Sequence, residues 1–516
     1  MPNSRTQNTK RNLLWGTISN CISIFVPFLT KTTIIHVMGV EYEGLNGVFS
    51  SILQVLSFAE MGIGSALVYS MYSPIAKGED SKVRALLNMY RKCYRVIGLT
   101  VLIIGLLLLP FLNVLVKKDL PDGINIYLLF GIYLLNNVLS YWVFAEKNSL
   151  LLACQRDDIN SRVSIIVKLI LNISQIIVIM CFKNYYGFVI AIPVFTVLQN
   201  LTSAHMVSKL YPQYYCEGIV EKSELNAIKR NVGGMFFQKI GNIVLSSVDP
   251  IVISAYLGLT ILGIYNGYHY VITALFGFSA VISRALIPSA GNSIASASLK
   301  KNYNDFEKFH FIYQWIIVWW SSCFLCLIQP FIKLWLGEEL MLSNGMAILF
   351  TLYFFFYKWF DIVYVYREAS GIWWEGKWFP IIAALFNLVT NIILVQIIGL
   401  SGVLLSTILS LIIIHDTVGV YILKKHYFKN VLDLKAFYLK QVRTLLCGVI
   451  CCGCSYTMAN VIPYQNTMII IILRGIICLI IPNLIMYLIL RKTKVFIESK
   501  EFIINKVIHK RDKGEI

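Results

Sequence analysis

The sequence predicts an all-α polytopic membrane protein built from two pseudo-symmetric six-helix lobes plus two C-terminal helices. Three observations carry that reading. Hydrophobic residues make up 57% of the 516-residue chain and charged residues only 14%, whereas about a quarter of residues are charged in soluble domains. The apolar runs, about 20–28 residues each, can cross a hydrocarbon core of about 30 Å as tilted helices, and they lack the alternation of a lipid-facing barrel strand. The third observation is a repeat: MGVEYEGLNG at 38–47 returns as LGLTILGIYNG at 257–267. Gly39 and Gly258 are 219 residues apart, as are Gly44 and Gly263; Asn172 and Asn387 are 215 apart, as are Gly187 and Gly402. Landmarks whose offsets agree to within four residues mark an internal duplication. Duplicated membrane bundles are typical of transporters, with the cargo site between the halves.

About fourteen spans follow from the apolar runs, near 13–37, 44–70, 94–116, 124–152, 163–182, 186–207, 236–257, 264–292, 309–332, 342–366, 379–398, 402–423, 444–461 and 467–490. The first six make an N-terminal lobe over 1–207 and the next six a C-terminal lobe over 236–424. Because six is even, the repeats share one orientation, related by an axis along the membrane normal. A polar stretch at 208–235 reads as a cytoplasmic linker with room for a short amphipathic helix, and 425–490 holds the two additional spans. In the basic tail, 491–516, apolar Val495, Phe496, Phe502, Ile503, Val507 and Ile508 alternate with lysines. That pattern suits a helix lying on the inner leaflet, or a disordered tail. Both copies of the repeated segment read as tight outer corners, with their glycines allowing the turn.

The formal net charge is +18, but its placement speaks against nucleic acid. An even number of spans puts both termini on one side, and that side holds most of the lysines and arginines. The opposite loops hold Lys117, Lys118, Lys183 and Lys333. This is the positive-inside pattern, which makes both termini cytoplasmic and anionic membrane lipids the natural partner of the excess charge. The basic stretch before the first span (Arg5, Lys10, Arg11) is followed by no small-residue cleavage site, so it heads a retained helix. Twelve cysteines lie mostly in apolar runs. The pairs Cys323/Cys326 and Cys451/Cys454 lack histidine or carboxylate company, so no metal or other cofactor is expected. There is no phosphate-binding Walker sequence, and the external loops are too short for a catalytic domain. The expectation is a transporter without covalent chemistry, coupled if at all to a Na+ or H+ gradient.

Polar residues recur along single faces of several spans. In the first, Asn20, Ser23, Pro27 and Lys31 share a face; in the second, Asn46, Ser50, Gln54, Ser57 and Glu60 do. The fifth carries Ser161, Ser164, Lys168, Asn172 and Gln175, and the seventh Gln238, Asn242, Ser246 and Asp249. A charge facing lipid costs at least about 2.5–3.5 kcal/mol, so these stripes should face protein or a water-filled cavity. Lys31 is either a structural tie to Glu60 or Asp249, or a cavity cation for an anionic cargo. Lys168 and Arg284, which shares a face with His269 and Thr273, are the further cavity cations. Asn20, Gln54, Asn172 and Asn242 supply amides for the same cavity. Asp249 and Glu60 are candidates for cation or proton coupling. Pro27 and Pro250 occupy matching places in the first helix of each lobe and suit hinges. Glu146 and Lys147 should reach water at the inner interface. Asp361, Asp416 and Arg474 have no partner identifiable from the sequence.

The stretch PFLTKTTIIHVMGVEYEGLNGVFSSILQVLSFAEMGIGSALVYSMY resembles the opening of Wzx-type polysaccharide flippases. The resemblance continues through LSSVDPIVISAYLGLTILGIYNGYHYVI and IPSAGNSIA and covers most of the first twelve spans. Wzx-type flippases belong to the multidrug/oligosaccharidyl-lipid/polysaccharide (MOP) exporter superfamily. The resemblance implies two six-helix lobes around a V-shaped central cavity, and transfer of an undecaprenyl-pyrophosphate-linked oligosaccharide repeat unit to the outer leaflet by alternating access. It implies a bacterial cytoplasmic membrane location, a role in capsule, O-antigen or exopolysaccharide synthesis, and a polymerase and glycosyltransferases as pathway partners. Lys31 stands where members of this group carry a basic residue. Other readings remain open: a cation-coupled small-molecule exporter, a flippase of a peptidoglycan lipid precursor, and an integral-membrane polysaccharide polymerase.

Overall fold

The computed structural model describes residues 5–512 except 61, 117, 223–224, 227, 229–240, 242, 244–245, 373 and 463–466. The described residues are helical, with no strand among them. The chain divides into two compact units, Met1–Asn266 and Gly267–Ile516.

The first unit contains α1 (Arg5–Val37), α2 (Val40–Leu56), α3 (Ile63–Lys77), α4 (Asp80–Leu108), α5 (Ile126–Trp142), α6 (Ala145–Ala153), α7 (Asp157–Phe182) and α8 (Tyr185–Leu210). Residues 246–256 form α9, and the start of α10 (Leu259–Ser296) belongs to the same unit. The second unit takes the rest of α10 with α11 (Leu299–Trp335), α12 (Asn344–Trp359), α13 (Asp361–Ala369), α14 (Phe379–Ile398), α15 (Leu400–Phe428), α16 (Leu434–Asn460), α17 (Thr467–Leu490) and α18 (Lys494–Asp512).

Eleven described helices are long and apolar enough to cross a membrane, or twelve if α5 and α6, bent by 51°, are one span. The expected count of about fourteen is therefore not reached among the described residues. The stretch 44–70 is interrupted by a 3-10 turn at Ser57–Glu60 and by left-handed Gly62 (φ 84°), leaving two helices of 17 and 15 residues. Of the span expected at 236–257, residues 236–240, 242 and 244–245 lie outside the described residues, and so do 223–224, 227 and 229–235 of the linker, where a short helix has room. The described start of that linker is held to α4: Arg84 Nε donates to the Gln213 carbonyl at 2.9 Å and Asn88 Nδ2 to that of Gly218 at 2.8 Å.

The duplication is visible in the backbone. Helix starts pair as Val40 with Leu259, Asp80 with Leu299, Ile126 with Asn344 and Tyr185 with Leu400, all at the offset read from the sequence. Side-chain caps recur at α5 and α12, where Asn125 accepts from the Tyr127 and Leu128 amides and Ser343 accepts from that of Met346. Packing repeats as well. In the first unit α4 packs on α5, α5 on α8 and α8 on α7; in the second, α11 packs on α12, α12 on α15 and α15 on α14. The long helix α11 also holds α16, α17 and α18.

The repeated glycine segments are not loops. Each is one turn residue followed at once by a helix. Gly39 (φ 122°) and Gly258 (φ 101°) make the corners, after matching bonds from residues 38 and 39 to the Ile34 carbonyl and from 257 and 258 to that of Ile253. From Val40 and from Leu259 the chain is helical. Gly44 and Gly263 therefore do not serve the turn. A Cβ on Gly44 would run into the Leu259 carbonyl, 2.9 Å from its carbon, and one on Gly263 into the Val40 carbonyl, 3.0 Å from its carbon. The starts of α2 and α10 cross at van der Waals contact of their backbones, and each glycine meets the first residue of the other helix.

Candidate functional site

The polar face of α1 meets that of α7, the most extensive helix contact in the first unit. At one end the carboxylate of Asp158, fully buried, is held by Arg11 (3.2 Å), Arg156 (2.9 Å) and Arg162 (3.7 Å). Asn12 Oδ1 accepts the Asp158 amide at 2.8 Å, and Asn12 Nδ2 donates to the Gln155 carbonyl at 3.0 Å. The Arg162 guanidinium lies over Trp15, 4.5 Å from the ring centre. Further along, Lys168 Nζ donates to Ser23 Oγ at 2.9 Å. Pro27, inside α1, has no N–H for the carbonyl of residue 23, so α1 is short of one helical bond where Lys168 reaches it. Next, Thr30 Oγ1 donates to Asn172 Oδ1 at 2.7 Å, and Asn172 Nδ2 bonds back to the Lys168 carbonyl.

At the far end Lys31 pairs with Glu43, whose side chain is buried. The sequence offered Glu60 or Asp249 as its tie. Glu60 instead accepts from the Tyr94 hydroxyl at 2.5 Å. Glu43 was overlooked because the segment around it read as a loop, although it stands in the repeated motif itself. A network continues from it: Asn46 Nδ2 donates to Glu43 Oε2 at 3.4 Å, and the Tyr133 hydroxyl donates to Asn46 Oδ1 at 2.9 Å. From Arg11 to Lys31 the face runs roughly 30 Å along one helix axis, about the thickness of the hydrocarbon core. The seam thus sets cations and amides in series along α1, paired in turn with Asp158, Ser23, Asn172 and Glu43.

The other expected residues lie elsewhere. Gln54, exposed, donates to Ser246 Oγ at 3.1 Å. Asn20 is exposed on α1. Asp249 is buried and Pro250 half-buried, both in α9. Asn242 lies outside the described residues. Arg284 belongs to the second compact unit, where it is exposed and forms no ion pair among the described residues; Thr273 on its face bonds to the His269 carbonyl at 2.9 Å. Glu146 and Lys147 do not reach water. Both are buried in α6, Glu146 against Arg91 at 3.2 Å and Lys147 against the Tyr214 carbonyl at 3.3 Å. The bend before α6 turns them inward.

Partners the sequence could not name appear in the second unit. Asp361 takes Lys358 at 3.0 Å and the Tyr313 hydroxyl at 2.6 Å. Asp416 sits beside His415, which meets the Tyr364 hydroxyl at 2.8 Å. Arg474 donates to the Cys326 carbonyl and to Asn460. No cluster of metal-binding type occurs among the described residues.

The Asp158 cage carries a modest prediction. Arg11 is partly exposed and one of three, so Arg11→Ala should lower stability by at most about 1 kcal/mol. Thermal unfolding of the detergent-purified protein reads this directly. A much larger loss would make Arg11 the main anchor of α1.

No protein-family model and no curated protein sequence matches the chain. Solved structures do match. The chain superposes on lipid II flippase MurJ, inward closed conformation, with a TM-score of 0.67 at 15% identity, covering 93% of this chain and 99% of that one. An inward-facing multidrug resistance MATE family transporter of the MOP superfamily gives 0.55 at 13% identity, with coverages of 77% and 94%. A eukaryotic MATE transporter gives 0.57 at 14% identity, with coverages of 83% and 97%. At these identities the likeness concerns architecture, and the chain has the all-helical fold that these flippase and transporter structures share.

Proposed function

We propose that the chain is a flippase of the MOP superfamily and moves a polyprenyl-pyrophosphate-linked oligosaccharide between leaflets by alternating access. The substrate class is that of Wzx-type flippases, which feed capsule, O-antigen or exopolysaccharide synthesis at the bacterial cytoplasmic membrane. The observation that carries this reading is the seam of α1 and α7. Its cations and amides recur along about 30 Å of α1, each bonded to a neighbouring side chain, at a depth where an unsatisfied charge would be costly. A pyrophosphate headgroup gains from each cation in turn, while its polyprenyl tail stays in lipid. The fold likeness to lipid II flippase MurJ supports a flippase reading. Nothing in the mechanism needs a covalent step, so the chain acts as a transporter and the pathway's glycosyltransferases and polymerase act before and after it.

A second reading, a cation-coupled exporter, draws on the buried carboxylates Glu43 and Asp249 and on the MATE likeness. Reconstitution separates the two. Proteoliposomes loaded with an undecaprenyl-pyrophosphate oligosaccharide should expose headgroups to an external probe, and Lys168→Ala should slow that exposure. Transport of a soluble organic cation with no headgroup exposure would overturn the flippase. Exposure of lipid II but of no oligosaccharide lipid would reassign the substrate.

A further inference from the structure

The C-terminal helix α18 packs along the first half of α11. Phe496 meets Trp315 (ring centres 5.8 Å) and Tyr487 (5.8 Å), and further along Phe502 meets Phe309 at 5.5 Å. Between these aromatic contacts the two helices leave a groove of about 400 Å³. Its walls are mostly apolar, Phe311, Trp315, Phe496 and Ile503 among them, and Ser499 and Lys500 also line it. The Ser499 side chain is 3% exposed, and its hydroxyl has no hydrogen-bond partner. Lys500 is exposed at the same groove and forms no ion pair among the described residues. Only three residues separate α18 from the end of α17, a helix long and apolar enough to cross a membrane. Over 491–512 the sequence holds seven Lys or Arg and three acidic residues.

We propose that this groove binds an anionic phospholipid, with one acyl chain between α11 and α18 and the phosphate on Lys500. The apolar walls exclude a soluble ligand but match a hydrocarbon chain. The orphaned hydroxyl of Ser499, next in sequence to Lys500, is a buried donor on the groove's lining that a lipid ester oxygen would satisfy. The net positive charge of the segment that carries Lys500 favours anionic over zwitterionic headgroups. The bound lipid fills the space that separates the two helices and so fastens α18 to α11.

The test uses the full-length protein in neutral detergent, titrated with phosphatidylglycerol, phosphatidylcholine or inorganic phosphate and followed by native mass spectrometry. The wild type should retain phosphatidylglycerol in preference to phosphatidylcholine. Lys500→Gln should weaken phosphatidylglycerol about fivefold, the factor for one headgroup-level cation, and leave phosphatidylcholine unchanged. Ile503→Trp should fill the groove and reduce both lipids. Lys500 is exposed, so its substitution leaves the fold intact and keeps the test open if Ile503→Trp does not accumulate. Equal retention of the two lipids by the wild type would overturn the proposal, and so would full retention of phosphatidylglycerol by Lys500→Gln. Displacement of phosphatidylglycerol by inorganic phosphate alone would make this a soluble-anion site and reject the lipid.

Discussion

Gly44→Val and Gly263→Val should each prevent accumulation of folded protein, with a loss at or beyond the roughly 3 kcal/mol upper end of overpacking penalties. The obstacle at each position is backbone. A Cβ at 44 meets the Leu259 carbonyl, and one at 263 meets the Val40 carbonyl. Neither carbonyl can swing aside as a side-chain end could, because each belongs to the first residue of a helix. Alanine should do the same on a smaller scale, about 1–3 kcal/mol at either site. The double alanine variant should cost less than the sum, since one separation of the two helices relieves both clashes. Gly131→Ala is the internal control. It lies inside α5 with nothing within 4 Å of its added methyl, so it should be neutral or stabilise by up to about 1 kcal/mol. Thermal unfolding of the four variants decides the matter. Additive losses at 44 and 263 would show that the two contacts are independent and that the crossing is not one unit.

The repeat at 38–47 and 257–267 was legible in the sequence because glycine spacing survives where side chains diverge. Its meaning was not. Gly39 and Gly258 occupy left-handed corners, as their type suggests. Gly44 and Gly263 are required by close approach of two helices far apart in the chain, which composition cannot announce. The bends were hidden for a similar reason. Hydropathy reads 44–70 and 124–152 as continuous, since apolar residues continue through the 3-10 turn at Ser57–Glu60 and through Val143–Phe144. The second bend has neither glycine nor proline to mark it; Phe144 adopts φ 52° on its own.

The polar stripes fared better because helical periodicity is a local property. Ser23 on α1, with Lys168 and Asn172 on α7, was read as facing protein or cavity, and Lys168 and Asn172 do meet α1. Pairings between stripes were not legible. Asp158 and its three arginines come from two helices and a turn, and only folding brings Arg11 to residues 156–162. The tail shows the opposite balance. Its apolar spacing suited a helix or a disordered tail, and residues 494–512 form α18; the groove beneath it depends on α11, nearly two hundred residues earlier.

Lys31→Met should abolish export, and pairing it with Glu43→Leu should restore stability without restoring export. The single change leaves Glu43 as a buried carboxylate that has lost its ammonium partner, a situation that costs about 3–5 kcal/mol. Glu43→Leu alone leaves Lys31 less constrained, since its side chain is 22% exposed and can reach water, so its stability loss should be smaller. The double change replaces the ion pair by apolar groups of similar size, which is often neutral or stabilising. Stability and transport therefore part company across the cycle. If Lys31 is only a tie between α1 and α2, the double variant regains both melting temperature and headgroup exposure in proteoliposomes. If Lys31 serves the cargo, the double variant melts like the wild type and exports nothing. Glu43→Gln sharpens the distinction: it keeps the shape and a hydrogen bond while removing the competing negative charge. Under the proposed function a cargo pyrophosphate competes with Glu43 for Lys31, so this variant should bind the lipid-linked sugar more tightly and release it more slowly.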